Sequence, residues 1–377
     1  MSNFSFTAVS ESLLKALSTA LPAIPANPTV YIMSNFVFDL QGNTLTITGG
    51  DLYTEVVTPF LVQSGKGSGK ICVPAKIIVD TLKVTPGELV FKADLEKFHL
   101  EIKTKTATLK ISCEEADNYP TMNKQLGGEP KHAFSIDKAI FESMLAKTAY
   151  CVSKDPMRPA MTAVNVECDK AGITFVATSG YSVTTALYKG SEQFADGEGF
   201  SFLCTPKPMQ LIKPFDAEKI EVSIYGEKVM FRAGDARVTA RLIDEHFPDW
   251  KSIMPKEENT ELTFDRATLI ESLRCTAGYS GAEDLVLLKA NDQIMLSAKG
   301  IGKAVEALQY VPCEREGNRV FAIGFNRKYM YDNLNAMSGE SVKIAFDGPK
   351  IVLIDDNKDQ TIHHKTIQMK MNTLEEV

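Results

Sequence analysis

The sequence predicts an α+β protein built of three tandem units, each with two helices packed on antiparallel sheets. Three observations carry this. An apolar run meets a Thr/Ala-X-Gly step and then a polar/apolar alternation three times, over Leu45 to Val57, Ile173 to Thr185 and Ile294 to Ala307. The glycines of the step, Gly50, Gly180 and Gly300, lie 130 and 120 residues apart, and a third of the 377-residue chain is about 126, an ordinary domain length. Finally, Leu13, Phe141 and Leu269 occupy equivalent places in three amphipathic helical patterns, 128 residues apart each time.

Each unit opens on such a helix. Ser10 is placed to cap a segment with Leu13, Leu14, Leu17 and Leu21 on one side. Asp137 stands likewise before Ile140, Phe141, Met144 and Leu145, and Asp265 before Leu269, Ile270 and Leu273. Apolar residues at i, i+3, i+4 behind an N-cap residue are the signature of a helix with one buried face. A second, shorter helix follows each glycine step, over 76–83, 207–213 and 327–337. Strands come next, at 89–91, 99–102 and 108–113, at 220–224 and 229–243, and at 342–346 and 351–354. Their period-2 alternation suits antiparallel sheets with one face toward water. The first two units end alike, at Asn118-Tyr119-Pro120 and His246-Phe247-Pro248, 128 residues apart. Polar, Pro/Gly-containing linkers near 127–131 and 255–259 place the domains at 1–127, 128–256 and 257–377. The last residues, Glu375-Glu376-Val377, read as a frayed tail.

Bulk composition is that of a soluble globular protein, 44% hydrophobic and 24% charged. A net charge of −7 argues against an all-over basic nucleic-acid binder, though not against positive charge gathered on one face. The seven cysteines stand singly with no CxxC, as reduced buried thiols of a cytoplasmic protein would. No signal peptide and no apolar run of transmembrane length is evident, so no membrane partner is expected.

The six helical segments carry eleven basic residues: Lys15, Lys76, Lys83, Lys138, Lys147, Lys207, Lys213, Arg266, Arg274, Arg327 and Lys328. Against seven acids they net +4, leaving −11 for the rest of the chain. One reading is ordinary solvated helix faces. The other is six helices turned toward a polyanion, making phosphate contacts without reading bases.

Motifs that would carry chemistry mostly fail on context. Ser64-Gly65-Lys66-Gly67-Ser68-Gly69-Lys70 resembles a phosphate loop, but Ile71 stands where Ser or Thr is needed and a strand follows instead of a helix. It reads as a flexible hairpin loop, and Gly300-Ile301-Gly302-Lys303 fails for the same reason. His363 and His364 are adjacent on a strand and point to opposite faces, so they cannot easily share a metal. No zinc-type Cys/His cluster and no catalytic constellation is recognisable, so neither metal, cofactor nor enzymatic activity is expected. The lone Trp250 reads as an anchor at a domain junction.

Taken together, Thr48-Gly49-Gly50-Asp51-Leu52, Val73-Pro74-Ala75-Lys76, Val176-Ala177-Thr178-Ser179-Gly180, Phe247-Pro248-Asp249 with Pro255-Lys256, and Ile323-Gly324-Phe325-Asn326 resemble the bacterial DNA polymerase III beta subunit, the sliding clamp. The order and spacing of these motifs span essentially the whole chain. The resemblance implies three DNA-clamp domains and a head-to-tail homodimer closing a six-domain ring around double-stranded DNA. Helices would line the hole, and the DNA contacts would be the eleven basic residues with Lys154 and Arg158. It implies a non-catalytic processivity factor that tethers the DNA polymerase III catalytic subunit and meets the clamp loader through short peptides.

By the same resemblance the peptides dock at Met161, Thr178, Gly180, Tyr181, Val183, Pro248, Ile253, Asn326, Tyr329, Ile367, Met369 and Met371. Leu109 and Tyr279 match positions at the ring seam. The chain departs from the family pattern at Tyr181-Ser182-Val183, where His-Arg-Leu is common, at Lys251-Ser252, and at Met369-Lys370-Met371-Asn372 in place of a Met-Pro-Met ending. A lysine in the pocket wall alters its electrostatics, because a buried ammonium is costly without a partner. The departures fit a divergent clamp; the alternative is a clamp-like scaffold or decoy, from a mobile element or phage, with altered partners.

Overall fold

The structure, a computed structural model, describes residues 3–122, 126, 128–190, 199–255, 260–290, 293–299, 305–317, 320–357 and 361–371. Gly127, Lys256, the 300–303 segment, Asn372 and the 375–377 tail lie outside the described residues.

Six helices form where the apolar spacing placed them: α1 (Ser10–Ala20), α2 (Ala75–Val84), α3 (Lys138–Thr148), α4 (Pro206–Gln210), α5 (Arg266–Thr276) and α6 (Arg327–Ala336). The Asp265 side chain caps α5 by accepting from Thr268 N, and Asn326 caps α6 by accepting from Tyr329 N. Ser10 does not cap α1. Val9 holds that position without a side-chain bond, and Ser10 is already the first helical residue. Helix α4 is shorter than the expected 207–213, ending at Gln210. Residues 211–214 continue as turns, and Pro214, which lacks an N–H, cannot extend a helix.

All strand pairs are antiparallel and fall into four sheets. The first runs Ser64–Lys66, Phe4–Val9, Glu88–Asp94, His99–Lys103 and Thr108–Ser112. The second, of nine strands, runs Glu114–Glu115, Ser68–Pro74, Asn35–Gln41, Thr44–Gly50, Thr54–Leu61, Ala236–Arg241, Lys228–Ala233, Lys219–Tyr225 and His132–Asp137. The third, also of nine, runs Phe200–Cys204, Val164–Asp169, Gly172–Thr178, Ser182–Tyr188, Ile362–Met369, Lys350–Asp356, Ser341–Asp347, Thr260–Asp265 and Glu314–Arg315. The fourth runs Glu306–Tyr310, Ile294–Lys299, Leu285–Ala290 and Phe321–Asn326.

The chain divides into two compact units, Met1–Phe141 with Cys204–Leu242, and Glu142–Leu203 with Ile243–Val377. The first two sheets belong to the first unit and the last two to the second, with Cys204 at the boundary. The second sequence repeat is therefore shared between them. Its sheet pairings show why. In the second sheet Thr54–Leu61, the strand after the first glycine step, pairs with Ala236–Arg241, the last strand of the second repeat. In the third sheet Ser182–Tyr188 pairs with Ile362–Met369, the last strand of the third repeat. The remaining members of this series, Glu306–Tyr310 and Thr108–Ser112, stand at sheet edges.

Cores form on the inward positions of the strands. In the first unit Phe6 and Phe91 stack with ring centroids 4.5 Å apart, and Phe141 meets Phe231 edge-on at 5.7 Å. In the second unit Phe264, Leu273, Leu296, Leu334 and Leu353 are buried in one cluster. The expectation of one wet face fails at Gly172–Thr178, which is buried at every position. It is an interior strand, and the turns Ala149–Cys151 and Pro159–Thr162 pack against it.

The glycine-rich 64–70 segment is no flexible loop. Ser64–Lys66 pairs in the first sheet and Ser68–Pro74 in the second, and the chain crosses between them at Gly67. Gly67 has φ +77°, and a Cβ there would lie 2.5 Å from the Asn3 carbonyl oxygen, so only glycine fits.

Candidate functional site

The helices are held in pairs by a device that repeats with the sequence. Ser10, Lys138 and Arg266, each the first residue of its helix, are spaced 128 residues apart. Ser10 N donates to Gly87 O, Lys138 N to Glu218 O and Arg266 N to Glu340 O, at 2.8 to 2.9 Å. Their side chains reach the end of the neighbouring helix. Ser10 Oγ donates to Leu82 O at 2.9 Å, Lys138 Nζ to Lys213 O at 2.9 Å, and Arg266 Nη1 to Leu334 O at 3.2 Å. The last carbonyls of a helix lack intrahelical partners and sit at its negative end, so a donor or cation there is favourable.

This changes the list of basic residues. Lys138 and Arg266 are partly buried and bonded to helix ends; they serve packing. Arg327 is bonded through Nε and Nη2 to the Asp284 carboxylate, at 3.0 and 3.2 Å. Lys147 is the clearest correction. Only 3% exposed, its ammonium donates to Asp355 Oδ2 at 3.0 Å and to Ser338 Oγ, out of reach of a polyanion. Residue 147 falls on the inner face of α3, which a charge count along the sequence does not register. Lys15, Lys76, Lys83, Lys154, Arg158, Lys207, Lys213, Arg274 and Lys328 are exposed. Of these, Lys15, Lys76, Lys154 and Lys213 have no acidic partner among the described residues. Lys83, Arg158, Lys207 and Lys328 sit near Asp80, Asp155, Asp51 and Asp332, and Arg274 bonds the Tyr331 hydroxyl.

The Lys147 contact belongs to a buried polar cluster in the second unit. Asp355 also accepts from the N–H groups of Ser338 and Gly339, at 3.0 and 2.7 Å. His364 Nδ1 lies 3.7 Å from Asp355 Oδ2, too far for a hydrogen bond, and its Nε2 is 3.0 Å from Thr184 Oγ1. Burial alone pushes the Asp355 carboxyl up. The His364 imidazole, the two N–H groups and the Lys147 ammonium outweigh it and hold the carboxyl well below the usual carboxylate range. Burial holds the His364 imidazole below its ordinary value, hence neutral. The motif read as an improbable metal site is a core histidine.

The twelve expected peptide contacts are largely drawn together in the second unit. Gly180 closes the turn between Gly172–Thr178 and Ser182–Tyr188 with φ +89°, and Thr178 Oγ1 accepts from its N–H at 3.0 Å. A Cβ on Gly180 would sit 3.4 Å from Met161 and from Arg158. Tyr181, 61% exposed, stacks on Tyr329 with centroids 6.2 Å apart. Val183 faces Ile367 across the strand pair, and Met369 N donates to Tyr181 O at 3.0 Å. Asn326 caps α6 just before Tyr329, while Gln368 Nε2 donates to Asn326 O at 2.9 Å. Met371 N donates to Gly324 O at 2.8 Å.

Pro248 and Ile253 lie on the segment after Ala236–Arg241. That segment is fixed by Trp250 Nε1 donating to Glu167 Oε1 at 2.8 Å, by Lys251 pairing with Glu167 at 2.9 Å, and by Met254 packing on Ile367. Met369 is 41% exposed beside Tyr181, giving an apolar, aromatic groove open to solvent. Lys370 is exposed as well, so the expected cost of a buried ammonium does not arise.

Leu109 and Tyr279 do not meet in the chain. Leu109 lies on the edge strand Thr108–Ser112 of the first unit. Tyr279, 40% exposed, follows α5 in the second. All seven cysteines are free thiols, and burial pushes Cys72, Cys151, Cys168 and Cys204 up to about 12, which makes them inert. Among the described residues no helix is long and apolar enough to cross a membrane.

Comparison with known proteins meets this geometry at each repeat. The DNA polymerase III beta subunit N-terminal domain matches residues 4–123, its central domain 135–249 and its C-terminal domain 251–370. The chain belongs to the DNA polymerase III beta subunit family. Among its relatives are the beta sliding clamp of Pseudomonas aeruginosa, 24% identical over 363 residues and 95% of each chain. That of Bacillus subtilis is 23% identical over 374 residues, 95% of this chain and 97% of the relative. In structure the chain resembles a DnaN sliding clamp from Pseudomonas aeruginosa bound to griselimycin, with a TM-score of 0.89 at 22% identity over 99% of this chain and all of the other. The beta subunit of Streptococcus pyogenes superposes with a TM-score of 0.90 at 18% identity, over 99% of this chain and 100% of the other.

In this beta-subunit chain, the sequence reading missed the Lys147, Asp355 and His364 cluster and the helix-pair bonds. The second was within reach, since the 128-residue period puts Ser10, Lys138 and Arg266 at one position. The first was not, because nothing along the sequence pairs residue 147 with residue 355.

Proposed function

We propose that this chain is a DNA sliding clamp, a non-catalytic processivity factor that encircles duplex DNA and tethers the replicative polymerase. Family membership along all three domains supports this, and one structural observation supports the ring. Twice, the strand after a glycine step pairs with the last strand of the following repeat. The third such strand, Glu306–Tyr310, and the first last-strand, Thr108–Ser112, remain at open edges. An open edge is a template for another strand, and a head-to-tail contact between copies repeats until it closes. Two copies so joined make six repeats and two seams, each pairing Thr108–Ser112 of one copy with Glu306–Tyr310 of the other. Leu308 and Tyr310, 53% and 60% exposed, then lose their water, as does Leu109 opposite.

Topology does the work in this reading. A closed ring leaves DNA only by opening or sliding off an end, so each phosphate contact can be weak, screened and indifferent to sequence. The exposed Lys15, Lys76, Lys154 and Lys213 suit that role. A polymerase held by a peptide in the Tyr181–Met369 groove then works at high effective concentration. The clamp loader uses the same groove, and the protein acts in the cytoplasm with the replication machinery. The test is retention on circular DNA. A nicked circle should keep the ring and lose it on linearisation; equal loss from both forms would remove the topological mechanism.

A further inference from the structure

Beside the groove, residues of the second unit enclose a cavity of about 350 Å³, in the range of small-ligand sites. Tyr181 and Tyr329 line it as well, so groove and cavity share the stacked tyrosine pair as a wall. Its polar groups are unevenly matched. The acceptors are engaged: Asp155 takes Arg158 Nε at 2.9 Å and Met157 N at 3.0 Å, and Asp332 faces Lys328 at 3.6 Å. Donors remain. Asn333, 1% exposed, accepts the Tyr150 hydroxyl at 2.8 Å through Oδ1, while its buried Nδ2 has no hydrogen-bond partner. Lys154, exposed, has no acidic partner among the described residues.

An unmet buried amide N–H is costly, and a carboxylate, which only accepts, satisfies both it and an ammonium. We propose that this cavity receives the carboxylate of an Asp or Glu side chain flanking the peptide that docks in the groove. The inference rests on the groove reading and adds an acidic preference to it. Tyr181 and Tyr329 carry the peptide from one compartment to the other.

The test uses the full-length protein and a fluorescein-labelled peptide from the DNA polymerase III catalytic subunit, extended at either end by Glu-Glu or Gln-Gln. Fluorescence anisotropy should show the Glu-Glu form binding about tenfold tighter at one of the two ends, the gain expected of one charge-assisted hydrogen bond. Lys154→Gln and Asn333→Leu should each bring the Glu-Glu to Gln-Gln ratio toward one. If Asn333→Leu does not fold, the surface variant Lys154→Gln still decides. A ratio of one at both ends, or a gain that survives in both variants, overturns the proposal. If no form of the peptide binds, the groove reading fails first, a pattern distinct from equal binding of the two forms.

Discussion

Removing the Lys147 ammonium should destabilise the second unit severely. Lys147 and Asp355 have side chains 3% and 1% exposed and meet at 3.0 Å. In Lys147→Ala the carboxylate keeps the Ser338 and Gly339 N–H groups but loses its only cation among the described residues, and Ser338 Oγ loses its donor. Truncating one partner of a buried pair typically costs about 3–5 kcal/mol. At about 2–4 °C per kcal/mol for a body of roughly this size, the melting temperature should fall by about 10 °C. Trp250, the single tryptophan, lies in the same unit and bonds to Glu167, so its fluorescence reports the unfolding of this unit.

The pH dependence has a definite sign. Asp355 is held below its ordinary value when folded, so its contribution is present above about pH 4 and is lost as pH falls toward the folded value. His364 is also held down, so below about pH 6.5 the unfolded chain takes up a proton that the folded chain refuses. Both make the wild type less stable in acid. Lys147 contributes to both depressions, so its removal weakens the acid dependence and the gap between variant and wild type should narrow from pH 7 to pH 4. A variant melting within about 2 °C of wild type at pH 7, or a gap that widens in acid, would refute this account.

Other outcomes follow from the same geometry. Leu109→Asp places a carboxylate on the edge strand at the proposed seam and should convert the dimer seen by native mass spectrometry into a folded monomer; an unchanged mass would show the seam assignment wrong. Lys15→Gln and Lys213→Gln should each reduce the salt slope of DNA binding by about one while leaving the melting curve alone. Arg266→Gln should do the reverse, lowering stability through the lost bonds to Gly339 and Leu334 with little change in DNA affinity. Gly180→Ala forces a side chain into φ +89° against Met161 and Arg158 and should cost about 1–3 kcal/mol, read by denaturant titration, with weaker peptide binding.

Much of the fold was legible because its rules are local. The i, i+3, i+4 spacing around Leu13, Phe141 and Leu269 fixed three helices, and the glycine steps fixed where strands turn. The 128-residue period announced the repeats, and with them the family. Where the reading failed, a distant residue decided. Ser10 looked like a cap until Leu82 O claimed its hydroxyl. The 64–70 segment looked like a loop until two different sheets took its halves. Lys147 looked like one more surface cation until α3 turned it onto Asp355.

The sequence by itself thus determined the repeat, the helix faces and the kinds of residue offered to DNA and to partners, since these depend on spacing and side-chain chemistry. Only the tertiary structure decided which cations are free and which are bonded inside. It alone brought Tyr181 against Tyr329, left Asn333 Nδ2 unmet, and left the Thr108–Ser112 and Glu306–Tyr310 strands at open edges. Burial, strand pairing and charge neutralisation join residues far apart in the chain, and no local pattern encodes which distant group will arrive.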